Sequence, residues 1–175
     1  MENLINVKID KKSVKIEQIY DIAASLVRNM QNKKMTFASA ESCTGGLVGS
    51  IITEISGASA VYLGGIITYT NDVKINTLGV DRSLIEMHSE VSAPVALDMA
   101  RNVREKLCAD FGVSATGFAG PTGGNENDPV GTVYVGIAND GVNVYRLSFE
   151  SGVSRAQIRL MTVEFILSSL LSLCA

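Results

Sequence analysis

Between Gly131 and Phe149 the chain carries the pattern that most limits its fold. Two segments, Gly131–Asn139 and Val142–Phe149, alternate apolar and polar side chains, and Asn139-Asp140-Gly141 joins them. Period-two alternation is the mark of a half-buried strand. An Asp-Gly step between two such runs is a strong hairpin signal, because the tight turn needs residues that tolerate positive φ. The chain must therefore build a sheet around an antiparallel pair.

The rest of the sequence says what else joins that sheet. Ile16, Ile19, Tyr20, Ala23, Leu26, Val27 and Met30 recur at helical spacing. Met35–Ala40 reads as a short buried strand, and Gly45-Gly46 then opens a helix running to about Ile55. Val61–Thr70, rich in β-branched and aromatic residues, is a second strand with a bend at Gly64-Gly65. A short helix follows over Asn71–Leu78 with Asn71 as its cap, and Asp81 starts another. Ser92-Ala93-Pro94 sets up a long helix to about Ala109. Val113–Thr116 is a brief strand ahead of a glycine-rich loop, and a last helix runs from about Ser154 to Leu173. The order predicts an α/β fold: three layers, α/β/α, with a mixed sheet flanked by helices on both faces. Residues 1–14 are polar and aperiodic and read as a flexible N-terminal arm, leaving 15–175 as a single domain.

Composition narrows the class. At 175 residues with 46% hydrophobic side chains the chain can bury a core without staples. Fifteen basic against eighteen acidic residues, a net charge of −3, argues against nucleic acid or an anionic membrane as partner. No uncharged apolar stretch reaches the roughly 18 residues of a membrane span, and no signal peptide is evident. Cys43, Cys108 and Cys174 are scattered and not in metal spacing, which fits a reducing, cytoplasmic setting with no metal. No cofactor is implied. Apolar surface on the long helices favours a homo-oligomer.

In open α/β sheets ligands collect where strands end in loops and helix N-termini. Three segments qualify. Ala40-Glu41-Ser42-Cys43-Thr44-Gly45-Gly46 is a strand-to-helix turn that can present a hydroxyl beside free N–H groups. Ser42 or Thr44 as a simple helix cap accounts for the spacing equally well. Cys43 is a competing nucleophile, since a thiol at a helix start ionises readily, and the spacing does not choose between it and Ser42. A serine needs a base. His88, the only histidine, lies in a polar stretch and reads as a surface residue, whereas Lys74, within Thr68-Tyr69-Thr70-Asn71-Asp72-Val73-Lys74, becomes a usable base if burial lowers its pKa. A solvated Lys74 is the plain alternative. Thr116-Gly117-Phe118-Ala119-Gly120-Pro121-Thr122-Gly123-Gly124 can cradle an anion but lacks the Gly-Lys-Ser/Thr of a triphosphate loop, and it reads as well as a mobile loop. Arg155 and Arg159 near the start of the last helix oppose its dipole, which a bound phosphate would offset.

Together these segments resemble the CinA C-terminal family. Ala40–Gly46 and Thr68–Lys74 look like its signatures, and Val91-Ser92, Gly117–Pro121 and Pro129-Val130-Gly131-Thr132-Val133-Tyr134 extend the match from about Ile16 to Leu173. The family often shows Gly-Asp-Arg before the last helix, where this chain has Gly152-Val153-Ser154-Arg155. Longer members carry an N-terminal molybdopterin-binding-like domain, and nothing of that domain's activity carries over to these residues.

The resemblance implies a nicotinamide-nucleotide amidohydrolase, converting nicotinamide mononucleotide and water to nicotinic acid mononucleotide and ammonia. It implies Ser42 as nucleophile with Cys43 packed behind it, Lys74 as general base and Tyr69 as an assisting group. Substrate binding falls to Thr44, Gly45, Gly46, Asn71, Gly117, Gly120 and Arg155, with N–H groups around Thr44–Gly46 holding the oxyanion. The partner expected is a small-molecule nucleotide. Two other classes fit the same loops: a catalytically silent nucleotide-binding or regulatory module, and an amidase for another small amide.

Overall fold

The computed structural model describes residues 4–10 and 13–174. Six strands form one sheet in the order β1-β6-β5-β4-β2-β3. They are β1 (Leu4–Ile9), β2 (Phe37–Glu41), β3 (Tyr62–Ile67), β4 (Phe111–Gly117), β5 (Thr132–Ala138) and β6 (Val142–Phe149). The Asp-Gly hairpin joins β5 to β6 as expected, pairing Thr132 with Ser148 through Ala138 with Val142. β4 and β5 are also antiparallel, while β2 lies parallel to both β3 and β4. The sheet is mixed, with helices on both faces, the three-layer arrangement the element order predicts.

One face carries α1 (Ile16–Lys33), α2 (Leu47–Thr53) and α6 (Arg155–Leu173). Their stripe residues Ile19, Leu26, Val48, Ile51, Ile158 and Met161 meet Val113, Ala115 and Val135 of the strands in the larger core. The other face belongs to α5 (Ala93–Leu107), whose Val95, Met99 and Val103 pack on Ala38 and Ala40 of β2. Small side chains are needed under this helix. A Cβ on Gly136 would stand 2.5 Å from the Ala96 carbonyl oxygen, so only glycine lets the backbones approach so closely.

α6 is long and apolar enough by composition to cross a membrane. It nevertheless carries Arg155, Arg159 and Glu164, and it buries Ile158, Met161, Thr162, Val163, Ile166, Leu167 and Leu170 against the sheet and α1. Those residues are spent on the domain core, which fits a core helix.

Three local expectations are corrected. Leu4–Ile9, placed in a flexible arm, form edge strand β1, parallel to β6 with Leu4 beside Val144 and Ile9 beside Phe149. Ile5, Val7 and Ile9 alternate with Asn6 and Lys8, and Val7 and Ile9 pack against the larger core, so a short period-two signal lies within the arm, on a strand that is otherwise largely exposed. Residues 1–3, 11 and 12 of that arm lie outside the described residues. Thr70, not Asn71, caps the helix that follows β3: its hydroxyl accepts from the Val73 N–H at 3.3 Å. That helix, α3 (Asn71–Val73), continues as a π-helical turn over Lys74–Leu78. The second helix starts at Leu47 rather than at the glycines, because Gly45 (φ 59°) and Gly46 (φ 91°) take left-handed conformations that a helix cannot use.

The topology fixes where a cleft can form. From β2 the chain passes over one face through α2 to β3. It returns over the other face through α4 (Arg82–His88) and α5 to β4, on the opposite side of β2. Strand order reverses at β2, and the loops leaving β2, β3 and β4 diverge there. Such a switch point is the usual ligand crevice of an open α/β sheet.

Candidate active site

Ser42 directly follows β2, and its N–H is held by the Ala115 carbonyl of β4 at 2.9 Å. What shapes the turn behind it is Glu41. This carboxylate is 97% buried and accepts N–H bonds from Gly46 (3.0 Å), Val48 (3.1 Å) and Gly49 (3.1 Å), with Ser39 Oγ at 3.3 Å. Three of the four orphan donors expected at a helix start thus meet one anion, where the helix dipole favours negative charge. The turn is folded against β2 and its serine is pushed outward.

Lys74 meets Ser42 from the next loop. Its Nζ lies 3.1 Å from Ser42 Oγ and donates to the Thr68 carbonyl at 2.9 Å, and the side chain is 1% exposed. Thr68 directly follows β3 and is itself fully buried. Burial holds the Lys74 ammonium below its ordinary pKa of 10.5, against the opposing pull of Glu90 and Cys43. Lys74 opens the π-helical turn, a rare local geometry found often at functional sites.

These two side chains sit in a cleft of about 310 Å³ whose lining includes Cys43, Tyr69, Glu90, Thr116 and Arg155. The glycine-rich loop from Gly117 to Gly120, with Thr122, forms one wall. This loop is tied at its base, where Phe118 N–H donates to Thr132 O (2.9 Å) and Gly131 N–H to Phe118 O (2.8 Å). Its far end is pinned by Asp128, whose Oδ1 accepts from Tyr134 (2.8 Å) and Arg146 (3.0 Å). Arg155 closes the rim, donating to Gly120 O at 2.8 Å and to the Tyr69 hydroxyl at 3.4 Å. Tyr69 is 61% exposed at the mouth.

Of the residues singled out in the sequence, Ser42, Tyr69, Lys74, Gly117, Gly120 and Arg155 thus come together around one cleft. Thr44, Gly45, Gly46, Asn71, His88 and Arg159 do not line it. Thr44 is fully buried with its carbonyl accepting from Arg159 at 2.7 Å, and its Oγ1 is the one buried side-chain oxygen without a partner among the described residues. Gly45 N–H is used by the Ser42 carbonyl (3.1 Å) and Gly46 N–H by Glu41, so the oxyanion donors expected over Thr44–Gly46 are largely consumed in shaping the turn. Asn71 is exposed at the start of α3, outside the cleft. Arg159 serves the turn rather than the cleft. Cys43 lines the cleft but packs into the core, and burial pushes its thiol up to about 12, which removes the low-pKa nucleophile reading. His88 is exposed at the end of α4.

Sequence reasoning missed Glu41 and Glu90, and it placed Thr116 only as the first residue of the glycine-rich segment. Thr116 Oγ1 donates to the Glu90 carbonyl at 2.8 Å, drawing residues 89–91 onto the end of β4. Ser89, just before, holds φ 72° and ψ 157°, a region that costs a non-glycine residue about 1–3 kcal/mol. Its hydroxyl reaches the Glu90 carboxylate at 3.1 Å. The only sequence signal for Glu41 was an acid one step ahead of a helix-opening turn. Glu90 had none, and for Thr116 nothing local points to its bond to the Glu90 carbonyl. Among the described residues no group of three or more His, Cys, Asp or Glu could hold a metal ion.

Comparison with known proteins identifies the family and agrees with the fold. The CinA C-terminal domain model matches residues 19–174, and the chain belongs to that family. A putative competence-damage inducible protein of Halothermothrix orenii is 51% identical over 123 residues, 69% of this chain and 30% of that protein. A CinA-like protein of Chlorobaculum tepidum is 52% identical over 114 residues, 65% of this chain and 27% of the other. The chain spans about a third of the length of the curated relatives it matches. Among solved structures, a competence/damage inducible protein from Agrobacterium tumefaciens superposes with a TM-score of 0.85 at 38% identity, covering 89% of this chain and 94% of that one. A CinA superfamily protein from Escherichia coli does so at 0.85 and 28%, covering 91% and 92%.

Proposed function

We propose that the chain is a nicotinamide-nucleotide amidohydrolase that deamidates nicotinamide mononucleotide through Ser42 and Lys74. The observation that carries the reading is the 3.1 Å contact between Lys74 Nζ and Ser42 Oγ, in a site where burial disfavours the charged lysine. A neutral amine at hydrogen-bond distance from a hydroxyl is the pairing an activated serine needs.

In this reading Lys74 takes the Ser42 proton as Oγ attacks the carboxamide carbon. The oxyanion is held by backbone N–H groups at the cleft wall, which we assign to Cys43, Ala119 and Gly120. Lys74 then protonates the departing nitrogen, assisted by Tyr69, and ammonia leaves an acyl ester on Ser42. Water attacks the ester with Lys74 again as base, releasing nicotinic acid mononucleotide and restoring the serine. Arg155 and the Gly117–Gly120 wall bind the ribose phosphate. No step calls for a metal or cofactor. Three free thiols fit the proposed cytoplasmic setting. Self-association, also proposed, would cover apolar side chains such as Leu63 and Ile67 on edge strand β3.

The test is ammonia release from nicotinamide mononucleotide by wild type, Ser42→Ala and Lys74→Ala in chelator-treated buffer. Turnover by wild type, with each variant down by about 10²-fold or more while still binding the nucleotide, supports the reading. Binding without turnover by wild type overturns it and leaves a nucleotide-binding module.

A further inference from the structure

Among the described residues lining the cleft, Glu90 is the only carboxylate. The other charged lining groups are Lys74, committed to Ser42 and Thr68, and Arg155 at the rim. Neither makes an ion pair with Glu90. The acid is nevertheless held with care: Thr116 takes its carbonyl, Ser89 takes its carboxylate, and Ser89 adopts a backbone conformation that disfavours any residue but glycine. A half-buried anion at a pocket wall, fixed by its neighbours and, among the described residues, feeling Lys74 only at a distance and ion-paired with no cation, is complementary to a positive ligand. Phe118 and Tyr69 add aromatic surface of the kind that attracts delocalised cations.

We propose that Glu90 is a specificity-determining residue that selects a substrate whose carboxamide-bearing ring is itself cationic. Glu90 faces the ring charge, and Arg155 faces an anionic tail at the mouth. The cleft thereby reads a zwitterion, positive near the scissile amide and negative further out. Oxidised pyridinium nucleotides are accepted, and their reduced, uncharged dihydropyridine counterparts are disfavoured although they carry the same amide, ribose and phosphate. This rests on the deamidase reading for its choice of ligand, and its test does not require turnover.

The measurement is calorimetric binding of nicotinamide mononucleotide and its 1,4-dihydro form. Ser42→Ala and the double variant Ser42→Ala/Glu90→Gln are compared, so that neither ligand reacts. Gln keeps an oxygen for the Ser89 hydroxyl, and the Thr116 bond goes to the backbone, so the segment stays in place. Ser42→Ala binds the oxidised form about tenfold or more tightly than the reduced form, and Glu90→Gln brings the two within about twofold by weakening only the oxidised one. Glu90→Asp, retaining the charge, keeps a preference of at least about threefold. An equal loss for both ligands in Glu90→Gln, or an oxidised-to-reduced ratio that Glu90→Gln leaves unchanged, overturns the assignment. Ammonia release by otherwise wild-type protein reports separately on the deamidase reading: its absence, with the binding ratio as described, removes the reaction and leaves the charge selection standing.

Discussion

Glu41→Gln is the most demanding test of how the turn is built, because it changes one oxygen to nitrogen and nothing in volume. Two N–H groups, of Gly46 and Val48, converge on Oε2, while Oε1 accepts from Gly49 and from the Ser39 hydroxyl. A glutamine settles with its oxygen at the first position, where two fixed N–H donors need it, and its NH₂ towards Ser39, which can turn to accept. The Gly49 N–H then has no acceptor, a loss of about 1–3 kcal/mol for a half-buried donor. The two surviving bonds lose their charge assistance, roughly half their strength, and the anion at the helix start is gone, together about another 1–2 kcal/mol. The sum is about 3 kcal/mol. In a domain of this size that lowers the melting temperature by about 6–12 °C, read by circular dichroism, with the midpoint in urea falling at unchanged slope. Ammonia release falls as well, because Ser42 rides on the turn and about 1 Å of misplacement costs on the order of 10²-fold. A variant that melts within about 2 °C of wild type would refute the idea that this carboxylate orders the turn.

Other perturbations separate the remaining parts. Lys74 must be neutral to act, so kcat/KM rises with pH along an acid limb and is lost as pH falls through a pKa below the ordinary 10.5; a limb at the ordinary lysine value contradicts its role as base. Arg155→Ala raises KM about tenfold or more with a smaller change in kcat. Arg159→Ala, which removes only the bond to the Thr44 carbonyl, lowers stability by about 1 kcal/mol and leaves KM alone. Identical KM effects for the two would dismiss Arg155 as the phosphate ligand. Brief iodoacetamide treatment at neutral pH followed by peptide mass spectrometry finds the exposed Cys108 alkylated and Cys43 untouched, since burial pushes the Cys43 thiol to about 12. Labelling of Cys43 ahead of Cys108 would reopen the thiol as nucleophile.

Much of this architecture was written in local pattern. The β5–β6 hairpin follows from one Asp-Gly step between alternating runs, and the cap at Ser154 from a serine ahead of an apolar helix. Ser42 and Lys74, 32 residues apart, were legible as separate strand-end signals whose meeting required both loops to leave the same end of the sheet. What stayed hidden depends on burial or on chain reversal. Glu41 is a charged residue on an interior strand, and only its enclosure by three N–H groups makes it a structural anchor. Ser89 gives no glycine to betray its positive φ, and the partner that fixes Glu90 is 26 residues away. β1 was missed although Ile5, Val7 and Ile9 alternate with Asn6 and Lys8, because the run is short, sits at a sheet edge and is set among polar residues. The misplaced cap at Asn71 reflects a choice between adjacent residues, Thr70 and Asn71, that both cap well.

The direction of β1 has a practical corollary. It runs parallel to β6, β6 parallel to β4 across the intervening β5, and β4 parallel to β2, so Leu4 stands at the end of the sheet away from Ser42. Four strand spacings, about 19 Å, also separate β1 from β2 across the sheet. Leu4 is therefore diagonally opposite the nucleophile, the corner of the domain least coupled to catalysis. That makes it the natural attachment point for cargo: a fluorescent reporter, an affinity handle or a surface tether joined there leaves the mouth of the cleft open to solvent. The same body joined after α3, or within the loop that carries Gly120, would stand in the doorway.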